Sequence, residues 1–224
     1  MLKGLLVTVV LVLAVVTVAG ATGPELKSDE QKTLYALGFV ISQNLASFAL
    51  SPADLEVVLV GVSDGVLKKD SKVDVQTYGP KIPALQTARA SAAATVEKKA
   101  GQAFLDKAAA EKGATRTASG MIITTVKAGD GASPKATDRV KVHYQGALTD
   151  GTVFDSSVKR NEPLTLALTS VIKCWTEGVP MMKVGGKSKL VCPSDIAYGD
   201  QGRPPIIKPG ATLVFEIELL EIVK

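Results

Sequence analysis

The sequence predicts an α+β protein, in which an all-α N-terminal domain and a long connecting helix precede a C-terminal antiparallel sheet wrapped over a short helix. Two observations support this prediction. Before about Ser119, apolar residues recur every three or four positions, whereas beyond it they alternate with polar residues. With 224 residues, of which 46% are hydrophobic and 21% charged, the chain is long and apolar enough to build at least one core.

Residues 1–22 have the features of a secretory signal peptide. Lys3 precedes an apolar run from Leu5 to Val18, and three small residues follow at positions 19–21. The run is shorter than the ~20 residues that a membrane-spanning helix needs. We therefore expect this segment to direct export and to be removed. An uncleaved membrane anchor is the alternative.

Residues 23–72 are expected to form a helical dimerisation domain. One apolar face of a first helix is predicted by the spacing of Leu34, Leu37, Ile41, Leu45 and Phe48. Ser51 as N-cap and Pro52 at the first helical position begin a second helix. Because the second helix is apolar on more than one face, we expect a second copy of the chain to cover the excess apolar surface. The alternative is that the rest of the same chain covers it.

Residues 73–113 are expected to form a long connecting helix. They are rich in Ala, Lys, Glu and Gln, and the helical pattern runs from about Val75 to Glu111. At 1.5 Å per residue this helix would be about 45 to 55 Å long and would act as a stalk. Pro80 and Pro83 are expected to kink its first turns, and Gly113 to end it.

Residues 119–224 are expected to form the sheet domain. Apolar and polar residues alternate over Val140–Tyr144 and Leu164–Leu168, and Leu213–Leu220 is a strongly apolar last strand. A short helix from about Val171 to Met181 contains the only tryptophan. The domain is therefore predicted to be an antiparallel sheet curled over one helix.

The residue inventory excludes several classes of site. One histidine and two cysteines leave too few ligands for a zinc finger or a two-histidine metal site within one chain, so no metal site is expected. A Ser-His-Asp triad would have to use His143. The net charge is +4, but the basic residues do not gather in a stripe, so nucleic acid is not an expected partner.

The sheet domain has five aromatic residues on five different predicted elements: Tyr144, Phe154, Trp175, Tyr198 and Phe215. A core distributes its aromatic residues in this way. However, the strings VKVHYQGALTDGTVFDSSVKRNEPLTLAL and VIKCWTEGVPMMKVGGKSKLVCPSDIAYGDQGRPPIIKPGATLVFEIELLEI resemble the FKBP-type peptidyl-prolyl cis-trans isomerases over nearly the whole domain. The resemblance implies an aromatic pocket between the sheet and the short helix, with the tryptophan as its floor. It implies non-covalent isomerisation of Xaa-Pro bonds without a cofactor.

The resemblance also implies the site residues, carried over motif by motif. The expected catalytic residues are Phe154, Asp155 and Tyr198. The expected substrate-binding residues are Tyr144, Leu164, Val171, Ile172, Trp175, Ile207 and Phe215. Leu164 stands where many relatives have Phe, Ser170 where some have an acid, and Arg203 where eukaryotic members often have His. These departures bear on macrolide affinity and on substrate preference more than on the reaction.

The helical N-terminal part and the string KKAGQAFLDKAAAEKGATRTASG, residues 98–120, resemble a subgroup of this family. The subgroup comprises the dimeric, secreted macrophage-infectivity-potentiator proteins and the periplasmic FKBPs of Gram-negative bacteria. The likeness implies a homodimer formed through the N-terminal helices and a periplasmic location, with outer-membrane association or secretion as alternatives. It implies proline-containing unfolded or nascent polypeptides as partners, and a macrolide as inhibitor. The alternative function is a dimeric chaperone whose isomerase activity is secondary or vestigial.

Two interpretations of the cysteines remain open at this point. Cys174 lies on the predicted short helix beside the tryptophan, and Cys192 lies on the strand that leads to the AYG motif. In an oxidising compartment the two could form a disulfide. Alternatively, they are two buried thiols that serve as small apolar residues.

Overall fold

The computed structural model describes residues 25–223. The predicted signal peptide, residues 1–22, lies outside the described residues. The chain divides into two units, the first of which ends at Phe39. Within the described part of the chain, no helix combines the length and the apolar character needed to cross a bilayer.

The first two helices are α1, Asp29–Gln43, and α2, Pro52–Val66. The predicted beginning of α2 is confirmed: the Ser51 hydroxyl accepts a hydrogen bond from the Asp54 amide, and the Asp54 carboxylate accepts one from the Ser51 amide. The first helix is shorter than the apolar pattern predicts. The chain leaves α1 after Gln43, and Ala46–Phe48 forms a separate 3-10 turn.

The predicted connecting helix is broken near its beginning. A short helix α3, Val75–Tyr78, and a 3-10 turn precede the long helix α4, Ile82–Ala109. Pro80 and Pro83 lack the amide hydrogens that a continuous helix would use, so one helix through this segment was a wrong expectation. With 28 residues, α4 is about 42 Å long. It ends four residues before Gly113, which has a positive φ of 80°.

Seven strands form one antiparallel sheet in the order β1-β2-β6-β7-β3-β4, with β5 paired to β3. They are β1 (Ala114–Arg116), β2 (Ile122–Lys127), β3 (Arg139–Leu148), β4 (Val153–Ser156), β5 (Leu164–Ala167), β6 (Lys187–Cys192) and β7 (Leu213–Val223). The two longest strands, β3 and β7, pair over their whole lengths. The other edge of β3 is shared, because β5 pairs with its first half and β4 with its second half.

The helix predicted from Val171 to Met181 is shorter in the structure. Helix α5 covers Lys173–Gly178, and Val179–Met181 continues as a 3-10 turn. Ile172 has φ −59° and ψ 146°, so its extended backbone delays the start of the helix. This extended segment leads directly into the site described below.

The main core lies between α5 and one face of the sheet. Its buried side chains include Val142, Tyr144, Cys174, Trp175, Leu190 and Ile217. Cys174 of α5 is joined by a disulfide to Cys192 of β6, with 5.9 Å between their Cα atoms. Of the two interpretations of the cysteines, the disulfide is therefore the one that the structure confirms.

Helix α4 packs against the opposite face of the sheet. Leu105 and Ala108 form a second buried cluster with Ile122 of β2 and Val191 of β6. The next residue of β2, Ile123, belongs to the main core, as the alternation of side chains along a strand requires. The second half of α4, which was expected to act as a stalk, therefore packs on the sheet domain.

Candidate functional site

A cavity of about 690 Å³ opens between α5 and the second half of β3. Strands β4 and β7 and the segments that precede α5 and follow β6 complete it. Its lining consists of Tyr144, Phe154, Asp155, Ser170, Val171, Ile172, Trp175, Tyr198, Arg203, Pro204, Pro205, Ile206, Ile207 and Phe215. The volume and the mostly apolar lining are typical of a small-molecule or peptide side-chain pocket.

Four aromatic rings of the lining contact one another edge to face. The Trp175 ring centroid lies 5.2 Å from that of Tyr144 and 5.4 Å from that of Phe215. Phe154 lies 5.8 Å from Phe215. These separations are typical of favourable aromatic pairs, so the rings support one another as a rigid wall. Trp175 is 4% exposed and lies at the floor of the cavity.

A glycine makes this ring packing possible. Gly146 of β3 pairs with Asp155 on one side and Phe215 on the other. A β-carbon at position 146 would come within 2.6 Å of the Phe154 ring and 2.9 Å of the Phe215 ring. Since real β-carbons do not approach so closely, any larger residue here would displace the two rings.

One carboxylate faces the cavity, and two donors hold it. The Tyr144 hydroxyl donates to Asp155 Oδ2 at 2.5 Å, and the Arg160 guanidinium donates to Asp155 Oδ1 at 2.5 Å. Burial by itself would raise the pKa of Asp155, but the hydrogen bonds from Tyr144 and Arg160 outweigh it and keep the pKa below its usual range. Burial, and then the hydrogen bond to Asp155, raise the pKa of Tyr144. At neutral pH the site therefore holds a charged carboxylate and a neutral phenol.

Besides the buried Trp175 indole N–H, which has no acceptor among the described residues, two hydrogen-bond donors of the lining are free to bind a ligand. The Tyr198 hydroxyl and the Ile172 amide have no acceptor among residues 25–223. Ile172 is extended and precedes α5, so its amide lies outside the hydrogen bonds of that helix. Both could donate to carbonyl oxygens of a bound peptide.

Nine of the ten residues predicted for the site lie in the cavity lining. Leu164 is the exception. It is 37% exposed and lies on β5, opposite Val142. Because β5 pairs with the first half of β3 and the cavity lies at the second half, the sheet register keeps Leu164 out of the lining.

Five further lining residues were not predicted as site residues, although the first two were noted as departures from the family: Ser170, Arg203, Pro204, Pro205 and Ile206. Pro204, Pro205 and Ile206 directly precede Ile207, which was predicted as a site residue. Their signal was available in the sequence, since a Pro-Pro pair beside a site residue indicates a rigid rim. Arg203, which was noted only as a departure from the family, also lines the cavity, and its guanidinium lies 5.9 Å from the centre of the Tyr198 ring.

Comparison with known families and proteins agrees with this geometry. Residues 131–220 match the model of the FKBP-type peptidyl-prolyl cis-trans isomerase domain. Residues 30–122 match the model of the domain amino-terminal to FKBP-type peptidyl-prolyl isomerase. Together the two models account for most of the chain.

Relatives are similar over three quarters of their length or more. The FKBP-type peptidyl-prolyl cis-trans isomerase FkpA of Aeromonas hydrophila is 43% identical, over 92% of this chain and 81% of the relative. FkpA of Escherichia coli K12 is 38% identical, over 88% and 77%. The FKBP-type 22 kDa peptidyl-prolyl cis-trans isomerase of the same strain is 37% identical, over 90% and 99%.

Two solved structures are also similar. The crystal structure of FkpA from Escherichia coli matches with a TM-score of 0.63 and 35% identity, over 88% of this chain and 98% of that chain. A peptidyl-prolyl cis-trans isomerase from Pseudomonas syringae matches with a TM-score of 0.55 and 39% identity, over 58% and 96%. By its domains, its relatives and its fold, the chain belongs to the FKBP-type peptidyl-prolyl cis-trans isomerases.

Proposed function

We propose that this isomerase binds the proline ring of a client polypeptide in the aromatic cavity and that Phe154, Asp155 and Tyr198 take part in the rotation. The observation that carries the proposal is the meeting of the predicted aromatic residues around one hollow, with Trp175 as its floor. The rings of Trp175 and Phe215, which contact each other edge to face, would form a continuous apolar surface against which the proline ring packs and from which water is excluded.

The reaction needs little beyond such a hollow. An Xaa-Pro bond rotates over a barrier of ~18 to 20 kcal/mol, because rotation breaks amide resonance. Turning a step of tens of seconds into one of milliseconds takes roughly 10⁴-fold, or about 5 to 6 kcal/mol. The twisted amide has less charge separation than the planar one, so a dry apolar cavity disfavours the planar substrate more than the transition state.

The polar groups of the lining would orient the substrate. The Tyr198 hydroxyl and the Ile172 amide, which are free donors, would hold carbonyl oxygens on either side of the rotating bond. Asp155 would keep the Tyr144 ring in place through their hydrogen bond and would face the rotating carbonyl. Val171 and Ile207 would contact the apolar parts of the peptide.

We further propose that the enzyme works in the periplasm as a homodimer. The signal-like segment at residues 1–22 and the disulfide between Cys174 and Cys192 support an oxidising compartment. Helices α1 and α2 each bury none of their residues within the described chain, although both carry large apolar side chains. We propose that residues 23–72 form the dimerisation domain, that residues 73–113 connect it to the rest of the chain, and that residues 119–224 form the isomerase domain.

Turnover of a proline tetrapeptide tests the proposed roles. Tyr198→Phe removes one hydrogen bond to substrate, so we expect kcat/KM to fall roughly fivefold to tenfold. Asp155→Ala should lower it by at least a similar factor. Leu164→Ala is the matched control, because Leu164 lies outside the lining, and it should leave turnover unchanged.

If either site variant is folded, as judged by circular dichroism, and has the same kcat/KM as the unmodified enzyme, the proposed roles are contradicted.

A macrolide inhibitor should also compete with the tetrapeptide for the cavity. Failure to compete would limit the proposal to peptide substrates, since Ser170 and Arg203 differ from many relatives at the rim.

A further inference from the structure

Helix α4 carries a cation in the middle of its buried face. The buried residues of the helix are Ala90, Ala94, Gly101, Leu105 and Ala108. These residues are three, four or seven positions apart, so they lie on one face of the helix. Position 98 lies on the same face, four residues after Ala94 and three before Gly101. The pattern calls for a small or apolar residue there, but the residue is Lys98.

Two aspartates bind this lysine. Its Nζ lies 2.7 Å from Asp195 Oδ1 and 2.7 Å from Asp200 Oδ1. Asp195 precedes Tyr198 by three residues and Asp200 follows it by two. The hydrogen bonds to Asp195 and Asp200 raise the pKa of Lys98, so the ammonium stays charged at neutral pH. One side chain of α4 thus binds the chain on both sides of Tyr198.

The backbone around Tyr198 has little regular structure of its own. Residues 194–196 and 199–201 are single 3-10 turns, and Gly199 and Gly202 have positive φ values of 59° and 62°. Short 3-10 turns joined by glycines hold their shape weakly. The Tyr198 ring packs against the main core, and a contact from outside the segment would further fix the backbone that carries it.

Close backbone packing supports the same contact on both sides of Lys98. A β-carbon on Gly210 would come within 2.5 Å of the Ala94 carbonyl oxygen. A β-carbon on Gly101 would overlap the Thr212 hydroxyl. Gly210 in turn donates its amide to the Gly199 carbonyl at 3.0 Å. Glycine at positions 101 and 210 therefore lets α4 and the segment after Tyr198 approach more closely than any larger residue would allow.

We propose that Lys98 is a positioning residue of the isomerase, which fixes the Tyr198 hydroxyl in the cavity by binding Asp195 and Asp200. The inference rests on the proposed role of Tyr198. Because the three charged side chains remain partly exposed, with 38%, 73% and 45% of their surfaces accessible, their pairing contributes little to global stability. The pairing instead fixes the position of the Tyr198 hydroxyl. Helix α4 therefore contributes to activity although it lies outside the cavity.

The test compares Lys98→Met with Lys99→Met in the full chain, using turnover of a proline tetrapeptide. Lys99 is the next residue of the same helix, is exposed and forms no ion pair with the described residues. We expect Lys98→Met to lower kcat/KM roughly fivefold, because small displacements of a positioning group cost large factors in rate. Lys99→Met should leave it unchanged, and Lys98→Arg should restore most of the loss.

A second arm asks whether Lys98 acts through Tyr198. In a chain that already carries Tyr198→Phe, Lys98→Met should cause no more than about a twofold further loss, because coupled residues are not additive. A full fivefold loss in that background, or no loss in the unmodified background, would overturn the inference.

The two failures can be told apart. If Tyr198→Phe alone leaves turnover unchanged, the proposed role of Tyr198 fails, whereas if it lowers turnover and Lys98→Met does not, only the present inference fails. Should Lys98→Met not fold, the double variant Asp195→Asn with Asp200→Asn removes the same pairing and must reproduce the same loss.

Discussion

Asp155 shows how neighbouring side chains set the charge of a site. Tyr144 and Arg160 occupy one oxygen each of its carboxylate, and together they overcome the cost of burial. The same contacts keep Tyr144 protonated, because burial and the adjacent carboxylate both raise its pKa. The cavity therefore keeps one charge state over a wide range of pH.

This charge state predicts a flat pH profile. The pKa of Asp155 lies below the usual value of about 3.9, and that of Tyr144 above about 10, so neither group titrates between about pH 5 and 9. The single histidine, His143, does not line the cavity. We expect kcat/KM on a tetrapeptide to vary less than about twofold over this range. An inflection within this pH range would contradict the prediction, because it would show that an ionising group other than Asp155 and Tyr144 takes part.

The sequence could predict single residues where a motif carried them. Phe154, Asp155 and Tyr198 were placed by short strings that resemble the family, and all three line the cavity. The contact between Lys98 and Asp195 was not predicted, because the two residues are 97 positions apart and the strings that contain them do not show that they meet. Leu164 was misplaced because its motif does not encode which half of β3 its strand joins.

At the scale of elements, the disulfide links α5 to β6 and so supports the floor of the cavity. Cys174 and Trp175 are neighbours on α5, and both are buried in the main core. The disulfide closes a loop with a sequence separation of 18 residues. Closing such a loop restricts the unfolded chain, which stabilises the folded one.

Replacing both cysteines by alanine should therefore lower the free energy of unfolding by about 3 kcal/mol, on the chain-entropy model of a loop of this length. Urea unfolding of the double variant and of the oxidised unmodified chain measures the difference. The oxidised chain with an added reductant should reproduce the loss. Equal stability of all three would show that the pairing does not constrain the unfolded state.

The first two helices were predicted by periodicity and the long helix by its composition, but the ends of the helices were predicted only in part. The cap at Ser51 was readable because a capping box is a local pattern of four residues. The break before α4 was underestimated, since Pro80 and Pro83 were expected to bend one helix. Instead, Pro80 lies in the 3-10 turn between α3 and α4, and Pro83 lies in the first turn of α4. The composition of α4 predicts a helix, but it does not say which of its faces is buried or what covers that face. The packing of α4 on the sheet therefore had to come from the structure.

For the whole molecule, the α+β architecture was predictable because the change from helical to alternating periodicity near Ser119 separates the two halves. The oligomeric state is inferred from the apolar side chains that the helices expose. Helices α1 and α2 expose Leu34, Leu37 and Val57, among other large apolar side chains. Surfaces of this kind mark contact with another molecule, and we infer a second copy of the chain.

Deleting residues 23–70 should therefore yield a monomer. Sedimentation of the mature chain should give the mass of a dimer, and that of the truncated chain the mass of a monomer with similar tetrapeptide turnover. The truncated chain should also suppress the aggregation of an unfolded client less well, because it lacks the paired arrangement. A monomeric mature chain would contradict the inferred homodimer.

The central claim is that a dry aromatic cavity accelerates rotation about Xaa-Pro bonds, and one comparison of tetrapeptide isomerisation rates tests it most directly. Phe154→Ala opens the cavity wall to water, whereas Val126→Ala removes an exposed apolar side chain of β2 outside the lining. We predict that Phe154→Ala lowers kcat/KM by roughly tenfold or more, while Val126→Ala leaves it unchanged. Equal rates for the two folded variants would contradict the claim.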